Sequence, residues 1–106
     1  MTRYATTFGA FNIDPMPGNN QVALCSGFFV FPDSRGEGNG HRLKAFQMDV
    51  LKSEGYSLAI CTVRADNAAQ LRVMKKAKWQ EIRNFINDQT GAQTKVFSKT
   101  INEAPL

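Results

Sequence analysis

Histidine and cysteine are scarce in this 106-residue chain: there is one histidine, His41, and two cysteines, Cys25 and Cys61. A protein zinc site needs several such groups at ligand spacing, so no metal site is expected. No apolar run reaches the roughly 20 residues that a membrane-spanning helix requires. The Met1-Thr-Arg-Tyr start lacks the hydrophobic region of a signal peptide. The expected compartment is therefore the cytoplasm, with both thiols buried and reduced. No internal repeat or low-complexity tract stands out. Strong charge of one sign is also missing: the net charge is +4, and the excess is spread along the chain. Only Arg72, Lys75, Lys76 and Lys78 gather in one place. A solvated helix face is the plain reading of that cluster, contact with anionic phosphates is the functional one, and nucleic acid is not the expected partner.

What is present suits one small domain. A chain of this length has room for one core, burying ~65% of its unfolded surface, and 42% hydrophobic with 21% charged residues is an ordinary globular composition. Arg3 to Ile13 has the β-rich content of a strand. Asp14-Pro-Met-Pro-Gly-Asn-Asn20 is dense in turn formers and leads to a second strand, Gln21 to Phe31, as an antiparallel hairpin. A helix is expected from about Gly40 to Glu54, with Leu43, Phe46, Val50 and Leu51 on its apolar stripe and Gly55 as its C-terminal cap. Tyr56 to Val63 then reads as a strand buried on both faces and parallel to the first hairpin's second strand. Asn67 is a good N-cap for a helix from Ala68 to Lys78. Gln80 to Asn87, the turn Asp88-Gln-Thr-Gly91 and Gln93 to Asn102 form a closing hairpin, and Glu103 to Leu106 a frayed tail.

The organising stretch is Gly27 to Leu43, GFFVFPDSRGEGNGHRL. A hydrophobic strand stops at Pro32, and Arg35-Gly-Glu-Gly-Asn-Gly40 runs straight into a helix. Glycines let the backbone approach a ligand closely, and a new helix turns its free N–H groups and positive dipole end into that gap. The natural occupant is an anion, so the stretch reads as a phosphate or pyrophosphate cradle. A P-loop would end in Gly-Lys-Ser/Thr, but His41-Arg42 follows Gly40. A dinucleotide fingerprint would need its third glycine at Leu43.

The pattern that fits is Arg-x-x-Gly-x-Gly, with Arg35, Gly38 and Gly40, preceded by Val30-x-Pro32. Downstream, Val63 and Asn67 stand in V-x-x-x-N spacing, and a short helix later Trp79 occupies an aromatic position. Together, from Val22 to Trp79, these stretches resemble the acetyl-CoA motifs of the GCN5-related N-acetyltransferases (GNATs). The resemblance implies an α+β fold: a mixed, mainly antiparallel sheet with a central, splayed parallel strand pair and two main helices. It implies that residues 1–106 make a single truncated domain of this type, binding acetyl-CoA. Phe28, Phe29 and Val30 would give main-chain contacts to the pantetheine arm; Arg35, Gly36, Glu37, Gly38, Asn39 and Gly40 would hold the pyrophosphate; Asn67 would touch the cofactor, cap its helix, or do both.

The activity implied is acetyl transfer from acetyl-CoA to an amine of a protein or small molecule. The chain departs from the family where proton transfer is usually done. Thr62 stands where many ribosomal-protein acetyltransferases have glutamate, Leu24 or a neighbour where histone-type members do, Met74 replaces the usual acidic tyrosine, and Lys78 replaces a glycine. No catalytic residue is assigned. His41, as surface or phosphate contact, and Cys25 or Cys61, as an acyl carrier, are the remaining candidates. The alternative is a catalytically degenerate module that binds acetyl-CoA, a partner protein, or both. The strand and two helices that precede this hairpin in relatives have no counterpart here. One sheet face should then lie open, and the expected consequence is a homodimer or hetero-complex through it.

Overall fold

The computed structural model describes residues 2–102, so the expected tail from Glu103 to Leu106 lies outside the described residues. Six strands form one sheet: β1 (Thr2–Ala5), β2 (Gly9–Met16), β3 (Asn19–Val30), β4 (Leu58–Arg64), β5 (Gln80–Ile86) and β6 (Gln93–Thr100), in the order β1-β2-β3-β4-β6-β5. Helix α1 (Asn39–Ser53) crosses from β3 to β4, and α2 (Ala68–Lys76) joins β4 to β5. Only β3 and β4 run parallel, as a helical crossover requires; every other pair is antiparallel.

The first expected strand is in fact two. Thr6 breaks the run: its backbone N–H donates to Gly9 O at 2.8 Å, and its Oγ1 accepts from the N–H groups of Phe8 and Gly9, both at 3.1 Å. This side chain makes a turn that β content does not reveal. β1 therefore folds back on β2, with Thr2 opposite Ile13. Much of the expected Asp14–Asn20 turn is ladder instead: Asp14 pairs with Leu24 and Pro15 with Ala23, and the chain reverses about Gly18.

Both helices end alike. At α1, Gly55 (φ 79) donates to Lys52 O at 3.1 Å and Tyr56 to Leu51 O at 3.2 Å. At α2, Lys78 (φ 62) donates to Lys75 O at 3.1 Å and Trp79 to Met74 O at 3.0 Å. Each is a Schellman motif, which closes the last turn through a left-handed residue.

The core lies between the helices and one sheet face: Phe11, Ile13, Ala23, Cys25, Leu43, Leu51, Ala59, Cys61, Val63, Met74, Trp79 and Phe97. Two expectations about burial need correction. On α1 the buried stripe is Leu43, Lys44, Gln47 and Leu51, whereas Phe46 is exposed and Val50 half-buried. Strand β4 is not buried on both faces. Ala59, Cys61 and Val63 face the helices, while Leu58 and Ile60 are half-buried and Thr62 is exposed, because no helix of the described residues covers their side. Val22 pairs with Leu58 and Leu24 with Ile60, which places these residues together on the uncovered face.

Candidate functional site

The parallel ladder is short. It joins Val22 to Leu58, Ala23 to Ala59 and Leu24 to Ile60, after which β3 and β4 part. A bulge in β3 accompanies the parting: Ala10 pairs with Phe29 and Asn12 with Ser26, so Gly27 and Phe28 share the single residue Phe11 opposite. Gly27 makes the bulge possible. Its φ is 61, and a Cβ there would lie 2.6 Å from Asn12 Nδ2. Beyond the bulge, the edge of β3 that faces β4 carries main-chain groups outside any ladder.

At the end of β3, a single 3-10 turn at Pro32–Ser34 carries the chain into the glycine loop. Arg35 is drawn back over the strand it follows. Its Nε donates to Val30 O at 2.9 Å, and its guanidinium lies 5.0 Å from the centre of the Phe29 ring. Gly36 (φ 84) and Gly38 (φ 75) take left-handed conformations with open space where a Cβ would be. Asn39 is buried, and its side chain pins the loop: Nδ2 donates to Ser34 O at 2.8 Å and Oδ1 accepts from Arg42 at 3.4 Å. The first helical bond runs from Arg42 N–H to Gly38 O. Consequently every N–H from Gly36 to His41 is without a hydrogen-bond partner among the described residues. No side chain caps this helix end. Free N–H groups converging at the positive end of a 15-residue helix form an anion cradle.

Cradle and splay open into one cleft of about 450 Å³, lined by Phe28, Phe29, Val30, Arg35, Gly36, Gly38, Asn39, Gly40 and Asn67 among others. Of the residues expected to hold a cofactor, Glu37 alone stays out of the lining; it is exposed beside the loop. Asn67 caps α2 through Oδ1, which accepts from Gln70 N–H at 3.2 Å, and still reaches the cleft. Of the far wall, formed by Ala69, Gln70, Arg72 and Val73 of α2, the sequence offered only Arg72, as a phosphate contact. Asn67 was the available signal, since a cap at the cleft puts the helix's first turns there too. The basic cluster is divided: Arg72 lines this cleft, Lys76 lines a second groove, and Lys78 forms the left-handed end of α2.

Few groups near the cleft can move protons. Met74 is fully buried in the core, and Thr62 is exposed on the uncovered face of β4. Among the described residues no carboxylate lines the cleft, and His41 is its imidazole. Burial pushes the Cys25 thiol up to about 12; neighbouring Cys61 adds to the rise and Lys44 opposes it. Burial raises Cys61 as well. Both thiols are free and protonated at neutral pH, which makes an acyl-cysteine step unfavourable. Among the described residues there is no cluster of metal-binding side chains, and no helix is long and apolar enough to cross a membrane.

No protein-family model matches the chain, and no curated protein sequence does either. Solved structures do match. The ribosomal-protein-S18-alanine N-acetyltransferase of Escherichia coli superposes with a TM-score of 0.77 at 19% identity, over 92% of this chain and 64% of that one. The Salmonella typhimurium protein yncA, solved with its cofactor acetyl-CoA, gives 0.79 at 15% identity, over 93% and 61%. The NatC complex bound to Gag peptide and CoA gives 0.75 at 13%, over 89% and 60%. The chain thus has the GNAT fold, as its motifs imply, and spans less than two thirds of the length of these structures.

Proposed function

We propose that this chain binds acetyl-CoA in the cleft and transfers its acetyl group to an amine. The observation that carries the reading is the unbroken run of unpartnered N–H groups from Gly36 to His41, opening beside the unpaired edge of β3. The residues present fit the cofactor. N–H groups at Gly36, Gly38, Asn39 and Gly40 suit a pyrophosphate, main-chain groups of Phe28, Phe29 and Val30 suit an amide-bearing arm, and Arg72 adds charge on the far wall. Glu37 contributes its N–H alone, with its side chain turned to solvent. When bound, the cofactor supplies an activated thioester open to attack by an amine. The chain's own contribution is binding and alignment, which can supply a large share of a rate without a strong acid or base. His41 is the imidazole in the cleft wall.

A second reading is favoured by Met74 and Thr62. One is sealed in the core and the other stands outside the cleft, so the usual proton-transfer positions are empty of function. On that reading the chain is a binding module that holds acetyl-CoA, a protein, or both, without turnover. In either case we take the uncovered sheet face as the place of a second subunit, as a homodimer or a hetero-complex.

Calorimetric titration with acetyl-CoA tests the cleft. Gly38→Asp is the informative variant: no atom lies within 4 Å of a Cβ there and aspartate is among the residues that best tolerate its left-handed φ of 75, whereas a Cβ at Gly40 would meet Val73 at 3.1 Å. A carboxylate in the cradle repels phosphate. Saturable binding by the native chain, lost in Gly38→Asp, supports the reading; a well-folded native chain that binds nothing overturns it. Release of free CoA on adding amine-bearing peptides then separates enzyme from module.

A further inference from the structure

Beside the cofactor cleft, and sharing His41 and Val73 with it, runs a second groove of about 510 Å³ between α1, α2 and the end of β6. Its walls carry His41, Lys44, Lys52, Lys76 and Lys99, and no acidic residue among the described residues lines it. Between the cations the surface is apolar: Ala45, Met48, Ala77 and Ile101. Neither Lys52 nor Lys76 has an ion-pair partner among the described residues.

A second, independent observation lies behind the groove, where Lys44 of its wall meets Gln47 and Trp79, neither of which lines it. Lys44 is 2% exposed, with no ion-pair partner among the described residues. Its Nζ donates to Gln47 Oε1 at 2.8 Å and sits between two rings, 4.5 Å from the centre of Phe28 and 4.3 Å from that of Trp79. Two donors in this cluster, Gln47 Nε2 and Trp79 Nε1, are buried with no hydrogen-bond partner. Ammonium, amide and indole therefore present N–H groups with one protein acceptor among them. A buried cluster of that kind lacks negative charge and acceptor oxygen.

We propose that the groove is a second ligand site, separate from the cofactor cleft, for a small organic carboxylate with an apolar body. The rim lysines Lys52, Lys76 and Lys99 draw in and pair the carboxylate, the field of buried Lys44 reinforces them through the low-dielectric wall, and the apolar body lies along Met48, Ala77 and Ile101. A cavity of this size suits a small molecule better than a folded partner.

The test does not depend on acetyl-CoA binding. Trp79 is the only tryptophan and stacks on Lys44, so its emission reports on the groove. Sodium octanoate is titrated below its micellar range, with octylammonium and octanol as cationic and neutral controls, in the absence and presence of saturating CoA. The expected result is a saturable change with octanoate alone, unaffected by CoA, with affinity at least fivefold weaker in Lys52→Glu/Lys99→Glu. Lys76→Glu, at an exposed position, gives an independent reading of the same loss, and Arg35→Ala leaves binding unchanged. Equal responses to all three probes, unchanged affinity in the lysine variants, or displacement of octanoate by CoA would each overturn the proposal.

Discussion

Lys78 holds a left-handed backbone, φ 62, at the position where the resemblance places glycine, and the structure shows why glycine suits it. The Schellman motif that ends α2 requires that conformation, which costs a side-chain-bearing residue about 1 kcal/mol. Lys78→Gly should therefore stabilise the fold by roughly 0.5–1 kcal/mol, raising Tm by about 4 °C in a thermal melt. Lys44 is the other residue out of keeping with its surroundings. Burial lowers its pKa from 10.5. The unfolded chain keeps the Lys44 proton up to about 10.5, whereas the folded chain sheds it earlier, so this group makes stability rise with pH between the two values. Cys25 acts oppositely. Its thiol ionises near 9 when unfolded and near 12 when folded, so its stabilising contribution falls as pH climbs between them. Urea melts of Lys44→Met should lose the component of stability that rises with pH below the unfolded value of 10.5, because the variant has no buried amine to charge. A native chain and variant with parallel pH profiles would show that Lys44 keeps its proton throughout.

At the scale of elements, the bulge of β3 and the loop that follows it form one device. The bulge turns β3 away from β4, and the loop presents α1's N-terminus across the opening. Gly27→Ala tests the first half. The new methyl meets Asn12 at 2.6 Å and must hold φ 61, so a loss of about 1–2 kcal/mol is expected. If the bulge sets the splay, acetyl-CoA affinity should fall about tenfold as well, by calorimetry below the melting range. Unchanged affinity with lowered stability would assign the splay to the crossover alone. This device was legible in the sequence because it is local: Pro32, the spaced glycines and the Asn67 cap each leave a mark within a few residues. The break at Thr6 was not, because a hydroxyl bonding to backbone N–H groups leaves no periodic signature, and threonine counts as a strand former. Nor was the burial of Lys44 and Gln47 legible. Their helical positions read as polar surface, and only the packing of α1 against Phe28 and Trp79 encloses them. The far wall of the cleft is likewise a tertiary fact, created where α2 lies beside α1.

For the whole molecule, the asymmetry of the sheet matters most. One face carries both helices and the core. The other presents Val22, Leu24, Leu58 and Ile60, all half-buried, with Val96 beside them through the pairing of β6 with β4. Edge strand β5 is exposed along its whole length and shows Ile82, Phe85 and Ile86 to solvent. An apolar sheet face next to an apolar edge favours a covering partner. The prediction is a solution mass above the 11.8 kDa of one chain, measured by light scattering on purified protein. Leu24→Lys/Ile60→Lys, two positions paired across β3 and β4, should return the mass to that of a single chain while leaving acetyl-CoA binding intact, since neither residue lines the cleft. A native chain that scatters as a monomer at working concentration removes the homodimer. Capture of the native chain but not the double variant by a second polypeptide would then identify a hetero-complex built on the same face. If the partner also contributed a carboxylate near the splay, acetyl transfer would appear only in the complex, linking the open face to the proton-transfer groups that Thr62 and Met74 do not supply.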